Sequence, residues 1–125
     1  MPAETDEFSP VYLDIALALD QIGDLQDVHG MLTMLEESLA RDIPRIAQLL
    51  DAGDVVGANL LLHPLKGIIP IFCVPAMCEH VAQVEVLSKD RNSVSVKPAY
   101  AELQPELNVL LAEVTQYLGL HGAGA

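Results

Sequence analysis

The residues best suited to chemistry in this sequence are His63, Lys66 and Gly67, in the segment His-Pro-Leu-Lys-Gly. A neutral imidazole is a good nucleophile near neutral pH, because the ordinary pKa of histidine is about 6.5. A lysine three residues further on can neutralise the oxygens of a phosphoryl group bound to that imidazole. Glycine inside a helix costs about 0.5–1 kcal/mol relative to alanine, so glycine at this position suggests the close approach of a partner.

A helix around this segment would place the chemically useful residues on one face. At about 100° per residue, four residues fall within roughly 60° of His63: Asn59, Lys66, Gly67 and Pro70. The opposite side collects apolar residues: Ala58, Leu61, Leu65, Ile69 and Phe72. A lone histidine is most often a hydrogen-bonded core residue, but this pattern predicts that His63 points into solvent.

The elements that must hold this face are predicted to be helices. Ser9-Pro10 resembles an N-cap followed by proline, so a short helix is predicted from there to Ile22, ended by Gly23. Apolar residues at spacings of three and four predict a long helix from about Asp24 or Asp27 to Leu50. We expect the segment 51–54, Asp-Ala-Gly-Asp, to close that helix and cap the next.

The second half of the chain is predicted to form three more helices. Their expected spans are 55–72, 75–89 and 98–118, with a polar loop at 90–97 between the last two. Prolines inside the predicted helices each remove one backbone hydrogen bond and are expected to bend them. These are Pro44 in the second helix, and Pro64 and Pro70 beside His63.

Composition indicates a single helical domain. The chain has 125 residues, of which 51% are hydrophobic and only 4% aromatic, and it contains no Trp. This is enough apolar material for one core and favours helices over sheets. We therefore predict an all-α fold, an antiparallel four-helix bundle with a short extra N-terminal helix, over residues 9–118. Residues 1–8 are expected to be flexible, and residues 119–125 a disordered tail.

The charge of the chain narrows its partners. Six Lys plus Arg against eighteen Asp plus Glu give a formal net charge of -12, which argues against nucleic acid and membrane partners. The acidic N-terminus resembles neither a signal nor a transit peptide, so a cytoplasmic location is expected. Acidic residues outside the His63 face are predicted to be solvated: Glu36, Glu37, Asp42 and Glu113.

Two cysteines are too few for a disulfide framework, so Cys73 and Cys78 are expected to be reduced and to pack as small apolar groups. Cys78 and His80 would point about 200° apart on a helix. They therefore cannot share one metal ion, and no metal site is predicted.

The segment 63–67 resembles the H-x-L-K-G signature of the histidine phosphotransfer (Hpt) domain family. The resemblance covers roughly residues 11–118. Met34–Leu39 and the turn at 52–54 resemble the long helix and the "AGD" hairpin turn of the family. Further along, four residues stand where the family has its "L…C..LE" helix: Met77, Val81, Val84 and Glu85.

This resemblance implies a four-helix bundle with the phosphorylatable histidine exposed on one helix. It implies that His63 is the phosphoacceptor, that Lys66 assists the phosphoryl group and that Gly67 leaves room for a docking receiver domain. Together with Asn59 and Pro70, Gly67 forms the expected docking surface. Leu65 matches the leucine of the signature, and its expected role is packing.

The expected function is that of a phosphocarrier in a two-component phosphorelay, with response-regulator receiver domains and a hybrid sensor kinase as partners. The sequence has neither GxxxxGK nor GxGxxG, so no kinase activity and no cofactor are expected, and the Mg²⁺ would be bound by the receiver. A monomer is favoured because the exposed histidine needs an unobstructed face. An alternative remains open, suggested by Pro64, Ile68 and Pro70: a helical adaptor that binds a receiver or kinase without phosphoryl transfer.

Overall fold

The computed structural model describes residues 8–90 and 93–121, and within them the chain is helical and forms no sheet. Five helices follow one another: α1 (Ile15–Ile22), α2 (Leu25–Asp51), α3 (Val55–Phe72), α4 (Pro75–Lys89) and α5 (Ser93–Leu120). The four long helices α2 to α5 form the bundle, with α3 against α4 and α2 against α5 as the most extensive pairings. The predicted all-α bundle with a short N-terminal helix is confirmed.

Local signals fix several helix ends as predicted. Gly23, with φ of 87°, ends α1, and Gly53, with φ of 77°, follows α2. Both are in the left-handed region that glycine adopts without strain. Asp54 then caps α3 by accepting the backbone N–H of Gly57 at 2.8 Å. The tight turn between α2 and α3 is therefore confirmed.

Prolines do not interrupt the long helices. α2 is continuous through Pro44, and α3 is continuous through Pro64 and Pro70. A single proline removes only one backbone donor, and the surrounding turns retain their hydrogen bonds. As a result α3 spans Val55–Phe72 and α4 spans Pro75–Lys89, as the sequence predicted.

The start of α1 differs from the prediction. The expected cap at Ser9-Pro10 is wrong, because α1 begins at Ile15. Asp14 is the actual N-cap, and its side chain accepts the backbone N–H of Leu17 at 3.0 Å. Residues 9–14, which we call the N-terminal strap, are not helical.

The N-terminal strap is held by partners far away in the sequence. Asp14 N–H donates to the carbonyl of Phe72 at 2.7 Å, and Val74 N–H donates to the carbonyl of Tyr12 at 2.9 Å. From α5, the carboxylate of Glu113 accepts three backbone N–H groups, those of Val11 (2.6 Å), Tyr12 (3.1 Å) and Leu13 (2.9 Å). The prediction that Glu113 is solvated is wrong, since it is only 8% exposed and satisfies the strap.

The last helix starts earlier than predicted. α5 begins at Ser93, so residues 93–97 are helical and not a loop, while residues 91 and 92 lie outside the described part. Val96 is completely buried, and its burial explains why the helix extends through Pro98 despite the lost hydrogen bond. At its other end α5 reaches Leu120, two residues beyond the predicted limit of the bundle.

The core is lined by the apolar faces that the sequence indicated. The predicted face of α2 is buried at six positions, Leu32, Leu35, Leu39, Ile43, Ile46 and Leu50, and half-buried at Met31. Asp42 is also buried, and its carboxylate accepts Nε–H of Arg41 at 2.9 Å. The prediction that Asp42 is solvated is therefore wrong.

Among the described helices, α3 is long and apolar enough, by length and composition alone, to cross a membrane. A helix that lines the core of a bundle has the same composition. Here α3 packs against α2 and α4 and buries Leu62, Leu65 and Ile69 between them.

Two predicted segments can be followed only in part. Of the N-terminus expected to be flexible, only Phe8 is described, and its ring lies 5.8 Å from that of Tyr117. Of the expected tail, residues 122–125 lie outside the described part of the chain.

Candidate functional site

His63 lies in the middle of α3 with its side chain 67% exposed. Gly67 and Pro70, on the same face, are exposed, and Lys66 is half-buried. Leu65 points the other way and is buried. The helical pattern therefore predicted the orientation of this face, and it predicted the packing role of Leu65.

A buried carboxylate orients the imidazole. Nδ1 of His63 lies 3.2 Å from Oε2 of Glu85 on α4, and the side chain of Glu85 is 0% exposed. An ionised carboxylate can only accept hydrogen bonds, so in the neutral imidazole this contact selects the tautomer with the proton on Nδ1 and the lone pair on Nε2. Within the described residues Nε2 has no hydrogen-bond partner. The nucleophilic nitrogen is thus on the exposed ring and unoccupied by the protein.

The surroundings of Glu85 favour its ionised form. Burial by itself raises the pKa of this carboxyl. Hydrogen bonds from His63 and Asn59, together with the charges of Lys89 and Lys66, act in the opposite direction and leave the pKa of Glu85 below its ordinary value. A pKa below the ordinary value favours the ionised carboxylate at neutral pH, which is the form that can accept a hydrogen bond from Nδ1.

Asn59 holds Glu85 in place. Its Nδ2 donates to Oε2 of Glu85 at 3.2 Å and to Oγ of Ser88 at 2.8 Å. Ser88 is buried, and its hydroxyl donates to the carbonyl of Glu85 at 2.6 Å. Asn59 was predicted to be a docking residue; in the structure it is half-buried, and its amide binds Glu85 and Ser88, so that it positions the carboxylate that positions His63.

Two lysines reach the other oxygen of the same carboxylate. Nζ of Lys66 on α3 lies 3.5 Å from Oε1 of Glu85, and Nζ of Lys89 on α4 lies 3.7 Å from it. Two cations, an imidazole and one buried anion therefore meet where α3 and α4 pack together.

Gly67 leaves an opening next to this cluster. A Cβ atom at Gly67 would have no atom of the described residues within 4 Å apart from the adjacent residues and the backbone of its own helix. The internal packing of the protein therefore gives no reason for glycine at this position. Without a side chain at Gly67, the surface one turn beyond His63 is open, as the approach of a second protein would require.

Sequence reasoning did not assign a site role to Glu85, Ser88 or Lys89. One signal was present: Glu85 lies on the face of α4 that otherwise carries Met77, Val81 and Val84, all of which are buried. A glutamate on a core-facing stripe needs a polar partner on another helix. The identity of that partner depends on how α3 and α4 align, which the sequence does not specify.

Cys73, Cys78 and His80, the one histidine of α4, form no comparable site. Burial raises the pKa of the Cys73 thiol well above its usual range, which makes the thiol unreactive. Sγ of Cys78 lies 3.6 Å from the carbonyl of Cys73, and Nδ1 of His80 lies 2.7 Å from Oε1 of Glu106. The described residues contain no cluster of three or more metal-ligating side chains.

Comparison with known proteins adds no relative to this geometry: no protein-family model, no curated protein and no solved structure matches the chain. The arrangement of the residues around His63 therefore carries the functional argument, together with the resemblance of segment 63–67 to the Hpt signature.

Proposed function

We propose that this protein is a histidine phosphotransfer protein, in which His63 carries a phosphoryl group between receiver-domain aspartates. The observation that carries the proposal is an exposed imidazole whose inner nitrogen is held by the buried, ionised Glu85. This leaves Nε2 available to a reagent from outside. The H-x-L-K-G resemblance points to the same chemistry.

In the forward step, the lone pair of Nε2 attacks the phosphorus of an aspartyl phosphate in line with the leaving oxygen. The N–P bond forms, the P–O bond breaks, and the receiver carboxylate leaves with the electron pair. The ring then bears a positive charge, which the carboxylate of Glu85 stabilises through the hydrogen bond from Nδ1. In the onward step a second carboxylate attacks the phosphorus, the N–P bond breaks, and the neutral ring is restored.

Lys66 and Gly67 have supporting parts in this proposal. Lys66 is half-buried, one turn beyond His63, where its ammonium group can pair with phosphoryl oxygens. Gly67 leaves room for the receiver, and exposed Pro70 extends the same surface. The receiver would supply the acidic pocket and the Mg²⁺, so this chain acts as a carrier without kinase activity of its own.

The proposed partners are receiver domains of response regulators and of a hybrid sensor kinase, in the cytoplasm. The acidic chain, with a net charge of -12, is poorly suited to nucleic acid or to anionic membranes. We propose a monomer, because docking of a receiver needs the His63 face to be free.

Phosphotransfer profiling tests this function. The purified protein is incubated with each phosphorylated receiver domain of the organism that encodes it. We expect label on the wild type, acid-labile and base-stable as a phosphorylated imidazole is, and no label on His63→Gln. His80→Gln is the matched control, because His80 also contacts a carboxylate on a neighbouring helix, and this variant should accept label normally.

Two results would contradict the carrier function. Label that persists on His63→Gln would move the acceptor to another residue. Receiver binding without any labelling of the wild type would instead support the helical adaptor.

A further inference from the structure

One oxygen of the buried carboxylate at the site lacks a hydrogen bond. Among the described residues, Oε1 of Glu85 has no hydrogen-bond partner, whereas Oε2 accepts from His63 and Asn59. A buried acceptor left in this state costs free energy unless nearby charge compensates. The ammonium groups of Lys66 and Lys89, at 3.5 and 3.7 Å, supply that charge from just outside hydrogen-bond distance.

Both ammonium groups have the freedom to move. Lys66 is half-buried and the side chain of Lys89 is 51% exposed, so neither is locked in place by packing. Lysine carries a compact charge with three donors on a flexible stem. Each lysine follows a site residue by about one helical turn, Lys66 after His63 on α3 and Lys89 after Glu85 on α4.

The charges around a phosphorylated His63 would exceed what one lysine can balance. A phosphoryl group adds a charge of about −1.5 to −2 at neutral pH, and it would stand beside the buried anion Glu85. If Lys66 alone moved to the phosphoryl oxygens, Oε1 of Glu85 would lose its cation. A second cation within reach removes this conflict.

We propose that Lys89 is a second phosphoryl-binding cation, which shares with Lys66 the task of balancing Glu85 and the phosphoryl group on His63. In the unphosphorylated protein both lysines rest against Oε1 of Glu85. When His63 is phosphorylated, the two ammonium groups divide between the carboxylate and the phosphoryl oxygens. The inference rests on the proposed function and adds to it a residue from a different helix.

The test uses phosphoramidate, a small reagent that phosphorylates histidine without a partner protein. Phosphorus NMR then gives the titration midpoint of the phosphoryl group, and loss of the signal over time gives the hydrolysis rate. In Lys89→Gln we expect the midpoint to rise and the hydrolysis rate to change about two- to five-fold, the size expected of a partly exposed ion pair. Loss of a cation disfavours the dianionic form, which sets the direction of the shift.

Two variants separate a local role from a general one. Lys89→Arg keeps the charge and should restore the wild-type midpoint. Lys97→Gln removes a similarly exposed lysine on α5, 57% exposed and 3.2 Å from Asp51 at the end of α2, and should leave the midpoint unchanged.

An unchanged midpoint in Lys89→Gln, or an equal shift in Lys97→Gln, would overturn the inference. The experiment also distinguishes this inference from the proposed function. A wild type that accepts phosphoryl from phosphoramidate and from no receiver would reject the carrier function, while the Lys89 comparison would still decide the role of Lys89. A wild type whose His63 is phosphorylated by neither route would overturn both.

Discussion

Glu85 organises the candidate site more than any other residue. Its two oxygens divide the work: Oε2 orients His63 and is fixed by Asn59, and Oε1 faces Lys66 and Lys89. A buried carboxylate is costly without such partners, and here four side chains provide them. Because burying this charge costs free energy, the four partners around Glu85 indicate that the carboxylate is a central part of the site.

The lowered pKa of Glu85 predicts a pH dependence of stability. In the unfolded chain a glutamate has a pKa of about 4.3, so the folded protein holds its proton less tightly than the unfolded chain does. The stabilisation from the ionised form is present above about pH 4.3 and is lost as the pH falls through the lower, folded-state pKa. We expect the difference in unfolding free energy between wild type and Glu85→Gln to decrease between about pH 7 and about pH 3.5.

Urea denaturation at a series of pH values measures this difference. Glu102→Gln, an exposed substitution on α5, is the control for the loss of one charge. A difference that increases toward low pH would show that Glu85 is not held in its ionised form.

At the residue scale, the sequence predicted half of the site. The 3.6-residue period placed His63, Lys66 and Gly67 on one face, and in the structure His63 and Gly67 are exposed while Lys66 is half-buried. Glu85 and Lys89 could not be assigned in the same way, because their contact with His63 and Lys66 depends on the relative shift of α3 and α4. That shift is decided by packing of the whole core.

At the scale of elements, the N-terminal strap is the least expected feature. Its backbone groups bond to the backbone at the end of α3 and the start of α4, and to the side-chain carboxylate of Glu113 on α5. Glu113 accepts three of these bonds, and charge-assisted hydrogen bonds of this kind are stronger than neutral ones. The strap thus connects helices that are distant in sequence.

Substitution of Glu113 should therefore destabilise the protein. In Glu113→Ala the backbone donors of the strap lose their acceptor, and the buried N–H of Leu13 is left without its hydrogen-bond partner. We expect a loss of about 1.5–3 kcal/mol in unfolding free energy, measured by urea denaturation. The exposed substitution Glu102→Ala should stay within about 0.5 kcal/mol of wild type. Equal effects of the two substitutions would mean that the strap contributes nothing to stability.

Helix ends set by neighbouring residues were predictable, and those set by distant partners were not. Gly23, Asp54 and Pro75 act locally, so the ends that they mark are where the sequence placed them. The start of α1 was misplaced because the strap pairs with α3, α4 and α5. The start of α5 was misplaced because burial of Val96 outweighs the polar character of the segment around it.

For the whole molecule, charge is the dominant global property. Eighteen acidic residues against six basic ones give a net charge of -12 on a chain of 125 residues. Such an excess of like charge opposes aggregation, and it also destabilises the folded state because the charges repel one another. The cations at the site, Lys66 and Lys89, are therefore a local exception on a strongly acidic protein.

Self-repulsion predicts that salt stabilises the folded protein. Raising NaCl from about 0.01 M to about 0.5 M shortens the screening length and should increase Tm, as measured by circular dichroism. The increase should vanish at the isoelectric point, pI ≈ 4.4, where the net charge is close to zero. A Tm that falls with salt at pH 7 would mean that specific ion pairs outweigh the repulsion.

The strap also determines where an independently folding fragment has to begin. A fragment that begins at the first helical residue, Ile15, would lack the backbone N–H groups that donate to Glu113. The buried carboxylate of Glu113 would then lose these three hydrogen bonds. It would also remove Leu13 from its pairing with Cys73. Truncations and fusion junctions that keep the bundle whole must therefore lie upstream of Val11, although no helix starts there.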